Sequence, residues 1–193
     1  MKHETATRTS GSTVVQVLAK GICPICTLVR VFQSELIERL RPDGVSAMCN
    51  FHAWAIAASA PALSAGKVFM EVLRRNGAGA TGQDSHHLCD ICLLVREHES
   101  TRLQEFRMEM RRKMFVEWLR NYGTVCRVHG EQLCKDLSGE QGGIIQAVMG
   151  HNEQELEAAL TSFCLKAEHG EHDGGGVLGR AAEFVVAQRG LTR

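Results

Sequence analysis

The sequence predicts an all-α protein: a helical bundle of two tandem, metal-clipped units related by internal duplication. Three observations predict it. Apolar residues recur at three- and four-residue spacings along most of the chain, the mark of helices with one buried face. No stretch alternates apolar and polar residues as a half-buried strand does. A Cys-x-x-Cys pair followed by Cys-x-x-His occurs twice.

The elements follow in chain order. Residues 1–13 are polar and Thr/Ser-rich and are expected to be disordered. The first unit spans 14–75. In it, Leu28, Val29, Phe32, Leu36, Ile37 and Leu40 share one face of a helix over 27–40. The stretch "RPDG" (41–44) stops that helix, because proline has no N–H for the ladder and Asp-Gly favours a turn. A second helix starts near Cys49 and runs through "HAWAIAAS" to Pro61, and a third covers 64–75. "NGAGATGQDS" (76–85) reads as a Gly-rich linker.

The second unit spans 86–169. Its longest periodic run goes from about Asp90 to Tyr122, with Leu103, Phe106, Met110, Met114 and Trp118 on one face. Glu109 and Lys113 are spaced to pair at i,i+4. Gly123 ends this run, and helices are expected at 127–138, 142–149 and 153–168. Residues 170–193 hold the polar linker "GEHDGGG" and a last helix at 177–189.

Composition narrows the function classes. The chain of 193 residues carries 22 Lys+Arg and 22 Asp+Glu, so it has no long-range field for nucleic acid or an anionic membrane. No stretch approaches the roughly 18 consecutive apolar residues of a membrane span. The first twenty residues lack the features of a secretory signal, so a cytoplasmic location is expected. In that compartment, eight cysteines point to metal ligands or redox groups rather than a disulfide framework. Walker loops, dinucleotide fingerprints, His-Glu-x-x-His and a Ser-His-Asp order are absent, and "GAGATG" (77–82) lacks the Lys-Ser/Thr of a phosphate loop.

The two halves correspond closely. "CPICTLVR" and "CDICLLVR" share six of eight positions, and "CNFH" and "CRVH" follow them. Fourteen residues past each histidine stands a glycine, Gly66 or Gly143, ahead of an apolar run. Between Cys26 and Cys49 lie 22 residues, and between Cys92 and Cys126 lie 33. The difference of 11 is close to three helical turns, so the second unit is expected to be a taller version of the first.

A two-residue gap lets both side chains of a pair converge on one ion, and two pairs complete a tetrahedron. Taking the pairs within each half gives two Cys3His sets: Cys23, Cys26, Cys49 and His52; and Cys89, Cys92, Cys126 and His129. Each set supplies all four ligands from protein, which favours structural zinc over hydrolytic catalysis. Three thiolates, a neutral imidazole and Zn²⁺ sum to one negative charge, and Arg30 and Arg96 are candidate outer donors that offset it. Cys134 and Cys164 fall outside the pattern and read as buried thiols. His86 and His87 stand close enough to Cys89 to compete as ligands, with the regular Cys-x-x-His the better choice.

The motifs "GICPIC", "CNFH", "CDIC" and "CRVH" carry a resemblance. The chain resembles, over about residues 18–165, a mainly prokaryotic domain-of-unknown-function family with repeated Gly-Cys-Pro-x-Cys helices followed by Cys-x-x-His. It departs from that pattern in lacking proline in "CDIC" and in the extra residue of "GICPIC". The resemblance supports the ligand assignment and implies no reaction.

The expected function is therefore a non-enzymatic protein with two Zn²⁺ per chain, an interaction or regulatory module. Its partner is an unidentified protein or a second copy of itself, with no membrane partner. The alternatives are an iron–sulfur protein using the same ligands for electron transfer or redox sensing, and a thiol redox switch.

Overall fold

The computed structural model describes residues 13–17, 22–45, 47–76, 89–170 and 176–186. The expected disordered N-terminus up to residue 12, the Gly-rich linker from residue 77, His86, His87 and residues 171–175 lie outside the described residues. All regular structure among the described residues is helical. A short α1 (Thr13–Val17) precedes α2 (Pro24–Glu38), a 3-10 turn at Pro42–Gly44, α3 (Asn50–Ser59) and α4 (Ala62–Asn76). The second half holds α5 (Asp90–Glu109), α6 (Lys113–Tyr122), α7 (Arg127–Asp136) and α8 (Gly139–Glu168), and α9 (Gly176–Val186) closes the order.

The halves share one core. Helices α2 and α5 pack on each other, with α1 against both. Helix α7 lies on α8, and α9 covers both of them. Residues at corresponding positions do the same work in the two halves. Ile25 and Ile91, Val29 and Val95, Ile56 and Leu133, and Val68 and Ile145 are all buried in one apolar cluster. Burying each such side chain contributes roughly 1.5–3 kcal/mol.

One pair of corresponding positions is exchanged in size. A Cβ at Gly130 would overlap the thioether of Met149 on α8, so α7 approaches α8 closely at a residue with no side chain. The matching positions in the first half are Ala53 and Val72: a larger residue where Gly130 stands, a smaller one where Met149 stands.

Several expected boundaries move, each for a local reason. The run from Asp90 to Tyr122 is two helices, broken at Met110–Arg112. There Arg111 N–H reaches back to the Met108 carbonyl and Arg112 N–H to that of Glu109, a tightened turn that shifts the helical phase. Phe115 and Leu119 consequently turn inward, while Met114 is 83% exposed and Trp118 only half-buried. Glu109 pairs with Arg112 at 3.2 Å rather than with Lys113, which takes Glu117 at 3.8 Å. The first helix of the second half is the longer one, 20 residues in α5 against 15 in α2, and the wider spacing there also holds α6 as a separate helix.

The expected helices at 142–149 and 153–168 are one 30-residue helix, α8. Gly150 inside it has open space at its Cβ position, and a lone interior glycine costs a helix only about 1 kcal/mol. Gly139 is required at the α7–α8 corner, where φ is +62°, a region that L side chains rarely enter. No described helix is long and apolar enough to cross a membrane.

Candidate metal centres

All four ligand pairs sit at the same kind of place. Cys23, Cys49, Cys89 and Cys126 are the N-cap residues of α2, α3, α5 and α7. Each cap carbonyl accepts the first helical hydrogen bond, from Thr27, Ala53, Leu93 and Gly130 respectively. The second ligand of every pair stands three residues on, in the first turn, facing the same side as the cap. The first-turn N–H groups point outward here, and the positive end of the helix dipole favours thiolate.

The eight residues gather into two four-donor clusters, but across the halves. Site A joins Cys23 and Cys26 of α2 to Cys126 and His129 of α7. Site B joins Cys49 and His52 of α3 to Cys89 and Cys92 of α5. The sets expected within each half, Cys23/Cys26/Cys49/His52 and Cys89/Cys92/Cys126/His129, are therefore replaced by their exchange. Every Cys-x-x-Cys takes the Cys-x-x-His of the other half. Each site remains Cys3His, with its ligand atoms all within 4.8 Å of one another.

The distances fit single-ion tetrahedra. Bonds of about 2.3 Å to sulfur and about 2.05 Å to nitrogen give edges of about 3.8 Å between sulfurs and about 3.6 Å from sulfur to nitrogen. In site A, Cys26 and Cys126 Sγ are 3.6 Å apart, and His129 Nδ1 lies 3.5, 3.3 and 3.1 Å from Cys23, Cys26 and Cys126. In site B, Cys49 and Cys92 Sγ are 3.7 Å apart. His52 Nδ1 there lies 3.3, 3.4 and 3.3 Å from Cys49, Cys89 and Cys92. All eight cysteines are free thiols.

The sites differ in their surroundings. Site A is wholly buried, and the Nε2–H of His129 donates to the buried carboxylate of Glu99 at 2.7 Å. That bond fixes the tautomer and turns Nδ1 toward the sulfurs. In site B, Cys49 and Cys92 are half-buried, and His52 Nε2 is sealed from solvent with no hydrogen-bond partner among the described residues. The position matching Glu99 in the first half is Gln33.

Site B is docked by backbone instead. Asp90 accepts from Ala47 N–H at 3.1 Å through its carboxylate, and its own N–H donates to the Ala47 carbonyl at 3.2 Å. This two-way link ties the strand of chain before Cys49 to the first turn after Cys89. It explains why the proline found at Pro24 is an aspartate in "CDIC".

The protonation of the metal-free sites reflects crowding. Burial opposes ionisation of Cys23, but hydrogen bonds from Cys126 and Cys26 and the charge of His129 outweigh it and hold this thiol well below its usual range. With one thiolate formed, hydrogen bonding to Cys126 and Cys23 keeps the Cys26 proton on, and hydrogen bonding with Cys23 raises Cys126. Burial would lower His129, but the Cys23 thiolate, Cys126 and Glu99 drive it up to about 12. Burial pushes His52 down to about 4 and raises Cys92. Three sulfurs and an imidazole nitrogen gathered this closely are compatible with a cation at their centre, which would favour the thiolate form of all three.

The remaining sequence candidates take other places. Arg30 pairs with Glu183 of α9 at 3.6 Å, and Arg96 is exposed on α5. The outer partner that the structure places on a candidate ligand is Glu99, which lies in a polar stretch of α5 with no motif to mark it. Cys134 is half-buried, with its thiol 3.8 Å from the Gly142 carbonyl, and Cys164 is exposed rather than buried. No family model matches the chain, and no curated protein or solved structure is significantly similar to it.

Proposed function

We propose that this chain is a non-enzymatic zinc protein in which two Cys3His ions lock two homologous, duplicated helical units into each other, and that it serves as a protein-interaction or regulatory module. The observation carrying the reading is the closeness of the donors: the four ligand atoms of each site lie within 4.8 Å of one another, and the separations of 3.1–3.7 Å among them are close to the edges of one tetrahedron. A cluster of several irons places bridging sulfides between its metals and sets its protein ligands farther apart, so one ion per site is favoured over iron–sulfur. Four protein donors leave zinc no open position for a substrate, which favours a structural role. The reciprocal exchange of ligand pairs also supports duplication, since corresponding segments fulfil corresponding roles.

The crossed sites make each ion a clamp between helices far apart in sequence, so metal-binding free energy becomes folding free energy. The test is elemental analysis with a visible spectrum on protein purified without oxygen, then removal of the metal by a strong chelator. The expected result is a colourless protein with two zinc ions per chain that loses helicity and melts at a lower temperature when stripped. A brown protein with stoichiometric iron and sulfide, or a stripped protein with unchanged helicity and melting temperature, overturns the proposal.

A further inference from the structure

The cysteine sulfurs of the two sites are not equally reachable. Cys23, Cys26, Cys89 and Cys126 are buried, none more than 6% exposed, whereas Cys49 and Cys92 are half-buried. Both reachable sulfurs belong to site B, and they face each other at 3.7 Å. They come from different halves: Cys49 caps α3, and Cys92 stands in the first turn of α5. Helix α9 accounts for part of the difference. It packs on α7 and α8, and its buried Phe184 stands on the same side of site A as the sulfurs.

Two further features set site B apart. His52 Nε2 has no hydrogen-bond partner among the described residues, so its ring lacks the anchor that Glu99 gives His129. The hydrogen bonds between Asp90 and Ala47, at 3.1 and 3.2 Å, join the chain before Cys49 to the start of α5 without the help of an ion. The segments carrying Cys49 and Cys92 therefore stay side by side when an ion leaves. Their sulfurs then need ~1.7 Å of approach to reach the disulfide bond length of roughly 2.05 Å.

We propose that site B is a peroxide-sensitive clasp: hydrogen peroxide oxidises Cys49 and Cys92 to a disulfide and frees the ion, while site A keeps its own. The proposal rests on the metal reading above and adds regulation to it. A bound dication holds the sulfurs as thiolates, their nucleophilic form. One of the two reachable thiolates attacks a peroxide oxygen. An S–O bond forms, the O–O bond breaks, hydroxide leaves, and a sulfenic acid remains. The other thiolate attacks that sulfur, forming the S–S bond and expelling a second hydroxide. Two protons from solvent complete two waters, so the thiolates lose two electrons and the peroxide gains them. Cys89 and His52 are left as a pair of donors, too few for a tetrahedral ion. A dithiol returns the two electrons by exchange and restores the site.

The test uses the full chain carrying Cys164→Ser, which removes the exposed thiol, with its metal content measured first. Hydrogen peroxide is titrated in, metal release is followed with a chromophoric chelator, and disulfides are mapped by mass spectrometry of unreduced peptides. The expected result is release of one ion at least about 10-fold faster than the other, together with a Cys49–Cys92 disulfide. Dithiothreitol and added zinc then restore two ions per chain. In a chain that starts with two ions, several outcomes overturn the clasp and leave the metal reading standing. These are retention of both ions, release of both together, a disulfide at Cys23–Cys26 or Cys89–Cys92 instead, and sulfinic acid without a disulfide. A chain that holds no ion as purified, or iron with sulfide, overturns the metal reading and the release with it.

Discussion

Phe32 on α2 and His98 on α5 stack face to face, with ring centroids 4.0 Å apart and planes 6° from parallel. The two residues occupy corresponding positions in the halves, each nine places after the first cysteine of its pair. Glu99, in the third turn of α5, reaches the site where α2 begins, so the two helices run in opposite directions. Stacking at corresponding positions of opposed helices places a local two-fold relationship at this contact. It also accounts for the exchange of ligands, because each helix then starts beside the other half's Cys-x-x-His. Phe32→Ala removes the platform at the crossing. With Phe32 half-buried, the expected loss is about 2 kcal/mol, read as a lowered denaturation midpoint of metal-loaded protein with its metal count unchanged.

The crossed ligand sets are distinguished from the within-half sets by counting metal in double variants. Cys26→Ser and Cys126→Ser each remove a ligand of site A, so the pair together costs no more metal than either alone and leaves one ion per chain. Cys26→Ser with Cys49→Ser strikes both sites and leaves none. Ligands shared within each half would reverse the two outcomes. Elemental analysis of the purified variants reads the difference directly.

Glu99 sets the strength of site A. Its carboxylate orients His129 and raises the basicity of the ring, and loss of such an outer partner typically costs 10–100-fold in metal affinity. Glu99→Gln is expected to weaken one of the two ions by about that factor, measured by competition with a chromophoric chelator, while the other is unchanged. In the parent chain the two ions leave at different rates. Site B goes first, since Cys49 and Cys92 are half-buried and His52 has no outer partner among the described residues.

Metal loading is coupled to proton release, and the sign follows from the directions above. In metal-free site A, Cys26 and Cys126 hold their protons and His129, at about 12, holds one more at neutral pH. An ion entering there displaces these three protons, so lowering the pH weakens binding, by up to about three decades per pH unit. His52, at about 4, is already neutral near pH 7, so its ring gives up no proton on loading site B. Calorimetric metal titrations in buffers of different ionisation enthalpy count the protons for each site. An equal imidazole contribution from the two sites contradicts this assignment.

The helical class and the eight candidate ligands were legible in the chain because both are local. A two-residue gap from an N-cap cysteine to the first turn brings two donors to one side, whatever the rest of the protein does. Periodicity likewise marked buried positions on α2 and α5, through Val29 and through Leu103 and Phe106. The partition of the four pairs was not local. Cys-x-x-Cys can be completed by either Cys-x-x-His at the same spacing cost, and the packing of α2 on α5, with Phe32 against His98, selects the crossed solution. Glu99 was hidden for the same reason: in the polar stretch "REHES" it differs from its neighbours only in pointing at His129. The break at Met110–Arg112 depends on a tightened turn that leaves no proline or glycine as a marker. Sequence thus marked which residues are candidate ligands and which faces are apolar, through spacings of a few residues. Tertiary structure decided which distant segments meet, because that depends on how whole helix faces fit together.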